Sequence, residues 1–385
     1  MSDLSSGGEP SGSSRAGGGR GRRRLILLGC LLLVLLAALP LLRQCAAPSG
    51  PPFRWALAIC DVGQGDAMFL SLGPHSAIAV DTGPDPAKED ACAARLGVTE
   101  VPLVILTHFH ADHIDGLAGL LHNRKAGEIE TTTVDDPPAG AAQVRRLAAA
   151  AGVPVVRVIP DERRSLGPIS WQVLWPQAEH PLTASSSAEM HGGGSGGSGG
   201  GSGNGNGGSM AEDGPGENSG PNNDSIVMAV TVAGVSGAAG PLRILLTGDI
   251  ETPVQQEILA DRRQYLRADV LKVPHHGSAK QDPDFLAAVA PSLSAISVGA
   301  GNPYGHPAPR TVYLAGADGA RVYRTDLDGT VLIGASDTAG GPIPVQADRG
   351  DGVLPTGEPS PNTSHTGRRG GRHGGARHQG QQRTE

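Results

Sequence analysis

Leu106-Thr107-His108-Phe109-His110-Ala111-Asp112-His113 decides how this chain folds and what it holds. The apolar run Pro102–Thr107 before it reads as a strand, and Ile114–Asn123 after it reads as a helix. Three imidazoles and a carboxylate therefore crowd a strand-to-helix corner. Alternate residues at a strand end point the same way, so His108 and His110 can share one ion. The chain then turns, and Asp112 and His113 can face a second. Neutral imidazole and carboxylate suit zinc, manganese or iron.

Working outward, chemistry-bearing residues recur at the ends of other strand-like runs. Leu245-Leu246-Thr247-Gly248-Asp249 ends one with a carboxylate, placed either to bridge two ions or to cap the helix near Pro253. Val273-Pro274-His275-His276-Gly277-Ser278 puts two histidines at another, and Asn302-Pro303-Tyr304-Gly305-His306-Pro307 puts one in a turn. Asp61-Val62-Gly63-Gln64-Gly65-Asp66 reads as a tight turn whose Asp61, Gln64 and Asp66 either face the site or hold the turn. Asp81-Thr82-Gly83 ends the third strand, and Asp81 is expected to orient a metal-binding histidine rather than bind metal.

Strands and helices alternate through the body. Strand-like runs are expected at 54–61, 67–72, 77–81, 102–107, 154–159, 169–174, 226–232, 242–247, 270–273, 295–298, 320–323 and 330–333. Helices are expected at 86–96, 114–123, 140–152, 253–264, 282–290 and 308–315. The mix predicts two sheets flanked by helices.

The ends differ in kind. Residues 1–24 are Ser, Gly and Arg with few apolar groups and are expected to be a disordered, basic, cytoplasmic arm. Leu25–Leu42 carries no charge and is long enough for one membrane span, so the expectation is an uncleaved single-pass anchor, with a cleaved signal peptide as the alternative. Four arginines just before it put the body outside the cytoplasm. Residues 183–221 hold 15 glycines and read as a flexible insertion, and residues 345–385 as a disordered tail. The domain itself is expected over 53–340.

The chain has 31 Lys+Arg against 38 Asp+Glu, a net charge of −7. Residues 1–42 and 345–385 each carry more arginine than acid, so the body between them is more acidic than the whole. Strong non-specific DNA binding by the body as a whole is not what such a balance predicts, and any nucleic acid needs a local basic strip. One long apolar run excludes a multi-span membrane protein, and four cysteines exclude a disulfide-dense scaffold. Cys60 and Cys92 either pair or are two buried thiols.

These residues resemble the metallo-β-lactamase superfamily, and within it the soluble domain of ComEC-type DNA-internalisation proteins. The matching pieces are DVGQGDA (61–67), VDTG (80–83), LTHFHADHIDGL (106–117), NNDS (222–225), LLTGD (245–249), KVPHHGS (272–278) and NPYGHP (302–307). The resemblance implies an α/β fold, the αββα sandwich, with two divalent ions, zinc or manganese, at one edge. It implies that His108 and His110 bind the first ion, that Asp112 and His113 bind the second, that Asp249 bridges, and that His306 closes the second site. His275 and His276 are additions typical of the ComEC branch, either of which could face a metal ion, and are further catalytic candidates with Asp112 and Asp249. Asn222, Asn223 and Ser225 stand where the superfamily usually has another histidine. The implied activity is cleavage of DNA phosphodiesters during uptake. Hydrolysis of a small ester or lactam, or a non-catalytic anchored module of a DNA-uptake assembly, are the alternatives. ComEC-type proteins join this domain to a many-helix channel, so a separate channel subunit is an expected partner, unless that part is missing.

Overall fold

The computed structural model describes residues 54–177, 219–233, 240–335, 341–355 and 357. The expected N-terminal arm, the span at Leu25–Leu42, most of the glycine-rich insertion and the tail beyond 357 lie outside the described residues. Among the described residues no helix is long and apolar enough to cross a membrane.

Strand alternation builds the interior. Ser76–Thr82 sends Ile78 and Val80 to one face and Ala77 and Ala79 to the other. Both faces are apolar because both are covered. Among the described residues fifteen strands form: β1 (Leu57–Ile59), β2 (Ala67–Ser71), β3 (Ser76–Thr82), β4 (Glu100–Leu106), β5 (Lys125–Thr131), β6 (Val155–Arg157), β7 (Arg163–Leu166), β8 (Ile169–Trp175), β9 (Val227–Val232), β10 (Leu242–Leu246), β11 (Val270–Lys272), β12 (Leu293–Ile296), β13 (Arg321–Arg324), β14 (Val331–Ile333) and β15 (Val345–Ala347). One sheet runs β15-β14-β1-β2-β3-β4-β5-β6 and the other β13-β12-β11-β10-β9-β8-β7. Strands β3 to β6 are parallel, as are β10 to β13, while the rest pair antiparallel.

The two sheets face each other through Leu57, Ile59, Met68, Ile78, Leu103, Ile105, Trp171, Met228, Val230 and Ile244. Helices cover the outer faces. Pro86–Arg95, Leu117–Leu121 and Pro138–Ala151 lay Cys92, Leu120 and Val144 on the first sheet. Thr252–Arg262, Pro283–Val289 and Pro309–Ala315 lay Val254, Ile258, Phe285 and Ala315 on the second. This is the expected αββα order. Local signals start the helices: Asp85 accepts from Ala87 and Lys88 N–H ahead of Pro86, and Asp282 accepts from Phe285 N–H ahead of Pro283.

Several boundaries differ from the sequence reading. The helix expected over Ile114–Asn123 is two short ones, Ala111–Ile114 and Leu117–Leu121, parted where Gly116 N–H donates to Gly83 O at 2.8 Å. Strands β5 and β7 carry too many charged residues to read as buried strands. The sandwich also runs past 340: β15 pairs with β14, Val353 bridges to Val322, Asp348 pairs with Arg95 and Arg349 with Asp61. At the other expected linker, Ser219–Pro221 belongs to a buried helical turn, Ser219–Asn223. Cys60 and Cys92 form a disulfide, which ties the chain just after β1 to the helix Pro86–Arg95.

That helix also buries Glu89 completely, and neither carboxyl oxygen meets a hydrogen-bond partner. Burial holds its carboxyl well above the usual range, against the pull of Arg124. Folding thus favours the neutral acid, a benefit complete below the unfolded pKa and lost as pH rises towards the folded one. Glu89→Gln is expected to raise the thermal midpoint at pH 8 by a few degrees, about 2–4 °C per kcal/mol relieved, and to leave it unchanged at pH 4. Calorimetry at the two pH values checks this, and an equal shift at both overturns the assignment.

Candidate metal centre

The sheets open on one edge. There Ile226 N–H, entering β9, donates to Thr107 O, leaving β4, at 3.0 Å, which stitches the two sheets together. The ends of β4, β10, β11 and β12 thereby bring their following residues to one place. Gly65 approaches so closely that a Cβ there would lie 2.1 Å from Asp112 O, so only glycine fits.

Four groups converge: donor atoms of Asp112, His113, Asp249 and His276 all lie within 4.8 Å of one another. His113 Nε2 is 3.2 Å and His276 Nε2 3.0 Å from Asp249 Oδ2, and His276 Nε2 is 3.1 Å from Asp112 Oδ2. Beside them His108 Nε2 lies 3.1 Å from His110 Nδ1.

Each of three imidazoles is gripped by one nitrogen so that the other faces the cluster. His113 Nδ1 lies 2.9 Å from Asp81 Oδ2, and Asp81 is fixed by the Thr107 N–H and hydroxyl, which donate to it at 2.7 and 2.8 Å. His276 Nδ1 lies 2.9 Å from Ser297 O, with Asp66 Oδ1 at 3.3 Å. His108 Nδ1 lies 3.2 Å from both the Thr107 and Ser225 hydroxyls. Such outer partners set tautomer and ring orientation in metal sites. Asp81 and Ser225 therefore take the orienting role the sequence suggests for Asp81. The backbone bears part of the cost: Asp81, His275 and His276 have φ of 57°, 48° and 50°, a left-handed region that non-glycine residues rarely occupy.

The electrostatics divide the histidines in two. Burial, then the neighbouring His113, hold His108 well below its ordinary range, and burial lowers His110 too, so both offer neutral lone pairs. Burial opposes charge on His113 and His276 as well, but the carboxylates together outweigh it, Asp249 first, then Asp81 beside His113 and Asp66 beside His276, and both stay well above the usual value. The carboxyls of Asp112 and Asp249 stay low, despite burial, because of those same imidazoles. A divalent cation fits this donor set. It would replace the imidazolium protons as counter-charge, and Asp249 Oδ1 is buried with no hydrogen-bond partner to lose.

Not every expected residue joins. The fourth donor of the cluster is His276, not His306. Asn302 ties down the loop of His306, its amide donating to His306 O at 2.7 Å, and the ring packs edge-on against His275 with centroids 5.2 Å apart. His275 stands apart from the cage too, 3.4 Å from Glu251 Oε1 and 3.3 Å from the Asn222 amide. Asp61 is directed away, into an ion pair with Arg349 at 3.0 Å. Gln64 accepts from Gly299 N–H at 3.0 Å, and Asn223 accepts from Glu251 N–H at 2.9 Å, so both hold backbone.

Two acidic or basic partners escape the sequence reading. Lys272 is fully buried with its Nζ 2.6 Å from Asp66 Oδ2, where a lysine in KVPHHGS reads as a solvated cation. Glu251 is buried, yet His275, Lys280 and Asn222 hold its carboxyl down at about 2 against the effect of burial.

Residues 60–207 match the metallo-beta-lactamase superfamily. That stretch of the chain is a metallo-β-lactamase domain. The chain is 27% identical over 294 residues to ComE operon protein 3 of Bacillus subtilis (strain 168), covering 70% of this chain and 32% of that protein. It is 31% identical over 119 residues to Competence protein ComA of Neisseria gonorrhoeae, covering 31% and 16%. This chain thus spans about a third or less of the competence proteins it matches. Among solved structures, the metallo-beta-lactamase fold protein YhfI of Bacillus subtilis aligns with a TM-score of 0.34 at 14% identity, over 71% of this chain and 87% of that one. The likeness is to ComEC-type competence proteins, and the metallo-β-lactamase domain is that of a metal-dependent hydrolase.

In this metallo-β-lactamase domain, His276→Ala is expected to lower bound metal and metal-dependent hydrolysis by about 100-fold or more, and His306→Ala by less than about tenfold. Elemental analysis and initial rates check this. An inverted order would return the cage position to His306.

Proposed function

We propose that this chain is a membrane-anchored hydrolase that cleaves DNA phosphodiesters during DNA uptake. The observation that carries the reading is the buried cluster of Asp112, His113, Asp249 and His276, in a chain similar to two competence proteins. His108 and His110 would hold one ion and the four clustered residues the other, with zinc or manganese as the candidates and Asp249 shared. Ions so held would acidify a water molecule and offset the charge that builds on a phosphate.

The chain's own residues do the positioning. Asp81, Ser297 and Ser225 fix the three imidazole rings, so the site need not reorganise when substrate arrives. His275, held by Glu251 and Asn222 just outside the cage, is the candidate to protonate the leaving oxygen. In this reading Leu25–Leu42 anchors the enzyme, the domain lies outside the cytoplasm, and a separate multi-span subunit supplies the channel.

The test is hydrolysis by the purified chain of single-stranded DNA, bis-p-nitrophenyl phosphate and a β-lactam, with Mn, Zn and Mg supplied in turn. Metal-dependent cleavage of DNA and the diester is expected. Turnover of the lactam alone would move the substrate class to small acyl compounds. No turnover in a metal-loaded, folded chain would favour a non-catalytic module.

A further inference from the structure

Among the described residues of the acidic body, Arg163, Arg243 and Arg267 gather along one groove, which none of the clustered metal-site residues lines. Strands β7 to β10 expose part of the second sheet's outer face. Their register lines up Ser170, Thr231 and Arg243 across three strands, and Arg163, Gln172 and Ala229 in the next row. The same strands turn Trp171, Val230 and Ile244 inward to the core. The outward row is thus polar where the helix Thr252–Arg262 no longer covers the sheet. Tyr265 and Arg267, which follow that helix, form a wall, and the whole makes an open groove of about 400 Å³.

The charge in the groove is available. Arg163, Arg243 and Arg267 are exposed, and among the described residues no carboxylate forms an ion pair with their guanidinium groups. The contrast is close by: Arg164 is taken up by Glu128 and Glu130, and Arg262 by Asp161. Arg163 instead lies over the Tyr265 ring, 5.8 Å from its centroid, and donates to its hydroxyl at 3.3 Å. A guanidinium beside an aromatic face, with amide and hydroxyl side chains on the floor, is the composition that holds phosphates while a base stacks. The volume suits one or two nucleotides, and the tyrosine face suits an unpaired base.

We propose that this groove is an exosite for single-stranded DNA. It would hold a strand by its backbone at a distance from the metal centre. Arg243 and Asp249 are six residues apart along and just beyond β10, which at ~3.3 Å per residue puts them at most about 20 Å apart. The inference rests on the reading of the chain as a DNA-processing enzyme for the identity of the polyanion. It also answers how a body of net negative charge would keep hold of such a substrate.

The test is fluorescence anisotropy of a labelled 20-nucleotide oligo-dT with the full chain, metal-free, across a salt series. The variant Arg163→Ala/Arg243→Ala/Arg267→Ala is expected to bind at least tenfold more weakly. Its dependence of log affinity on log salt should flatten by about 2, from ~0.7 per phosphate contact on a single strand. Hydrolysis of bis-p-nitrophenyl phosphate should not change, which also shows that the variant folds. A control, Arg145→Ala/Arg146→Ala on the opposite helix layer, should bind like the parent.

Unchanged affinity and salt slope, or loss equal to the control's, would overturn the exosite, as would a parent chain that does not bind the oligonucleotide. Equal groove-dependent affinity for a duplex of the same length would overturn its assignment to single strands. Groove-dependent binding without cleavage would keep the exosite and reject DNA hydrolysis. Cleavage with groove-independent binding would do the reverse.

Discussion

Asp249→Ala is expected to reduce metal-dependent hydrolysis by about 1,000-fold or more, the largest loss from any single change in the domain. The reason is position. One oxygen lies 3.0 Å from His276 Nε2 and 3.2 Å from His113 Nε2, and the other is buried with no hydrogen-bond partner. Without the carboxylate, two imidazoles face each other across a gap with only Asp112 on that side, since Asp81 and Asp66 hold their far nitrogens. Asp249 does not cap the following helix: the N-terminal residue of Thr252–Arg262 is preceded by Glu251, and Asp249 N–H donates to Ser225 Oγ at 3.0 Å. The variant should therefore keep its circular dichroism spectrum while elemental analysis shows less bound metal. Full activity in a folded Asp249→Ala protein would refute the metal centre.

Lys272→Met is expected to cost about 3–5 kcal/mol of folding stability, the size associated with stranding one member of a buried ion pair. Both Lys272 and Asp66 are fully buried, and their charged atoms are 2.6 Å apart. Burial penalises each charge, but the pair holds: the Lys272 ammonium is pushed up, chiefly by Asp66 and then Asp249, and the Asp66 carboxyl is pulled down by Lys272 and His276. Removing the ammonium leaves a buried carboxylate with His276 Nδ1 at 3.3 Å but no ammonium beside it. Asp66→Asn combined with Lys272→Met removes both charges and is expected to recover most of the loss. Denaturant titration of the two single variants and the double checks this. Additive losses would mean that the pair is not coupled, and the account of it would fail.

Much of the site was legible because its residues lie close together in the chain. His108, His110, Asp112 and His113 fall within six positions at a strand-to-helix corner, and local geometry alone puts them in reach of one another. Asp249 was legible as a carboxylate at a strand end. The choice between His276 and His306 was not. It depends on two adjacent left-handed residues, His275 and His276, that aim the second ring into the cage, and on Asn302 tying the other loop back. Backbone conformation at such positions follows from surrounding contacts that no short window contains. Asp61 misled for a similar reason. Its partner, Arg349, comes from a segment with the composition of a tail, and only the pairing of β15 with β14 brings that segment home.

From the sequence came the alternation that makes both faces of each sheet apolar, hence the four layers, and the ligand types that make a cation the natural occupant. These are properties of neighbours along the chain, where period and residue chemistry suffice. The tertiary structure decided which imidazole completes the cage, that Lys272 and Asp66 share their charges in the core, that Cys60 meets Cys92, and that scattered arginines gather in one groove. Each of these joins residues far apart along the chain, and whether such residues touch depends on strand order, register and turn conformation, which are settled only when the whole chain packs.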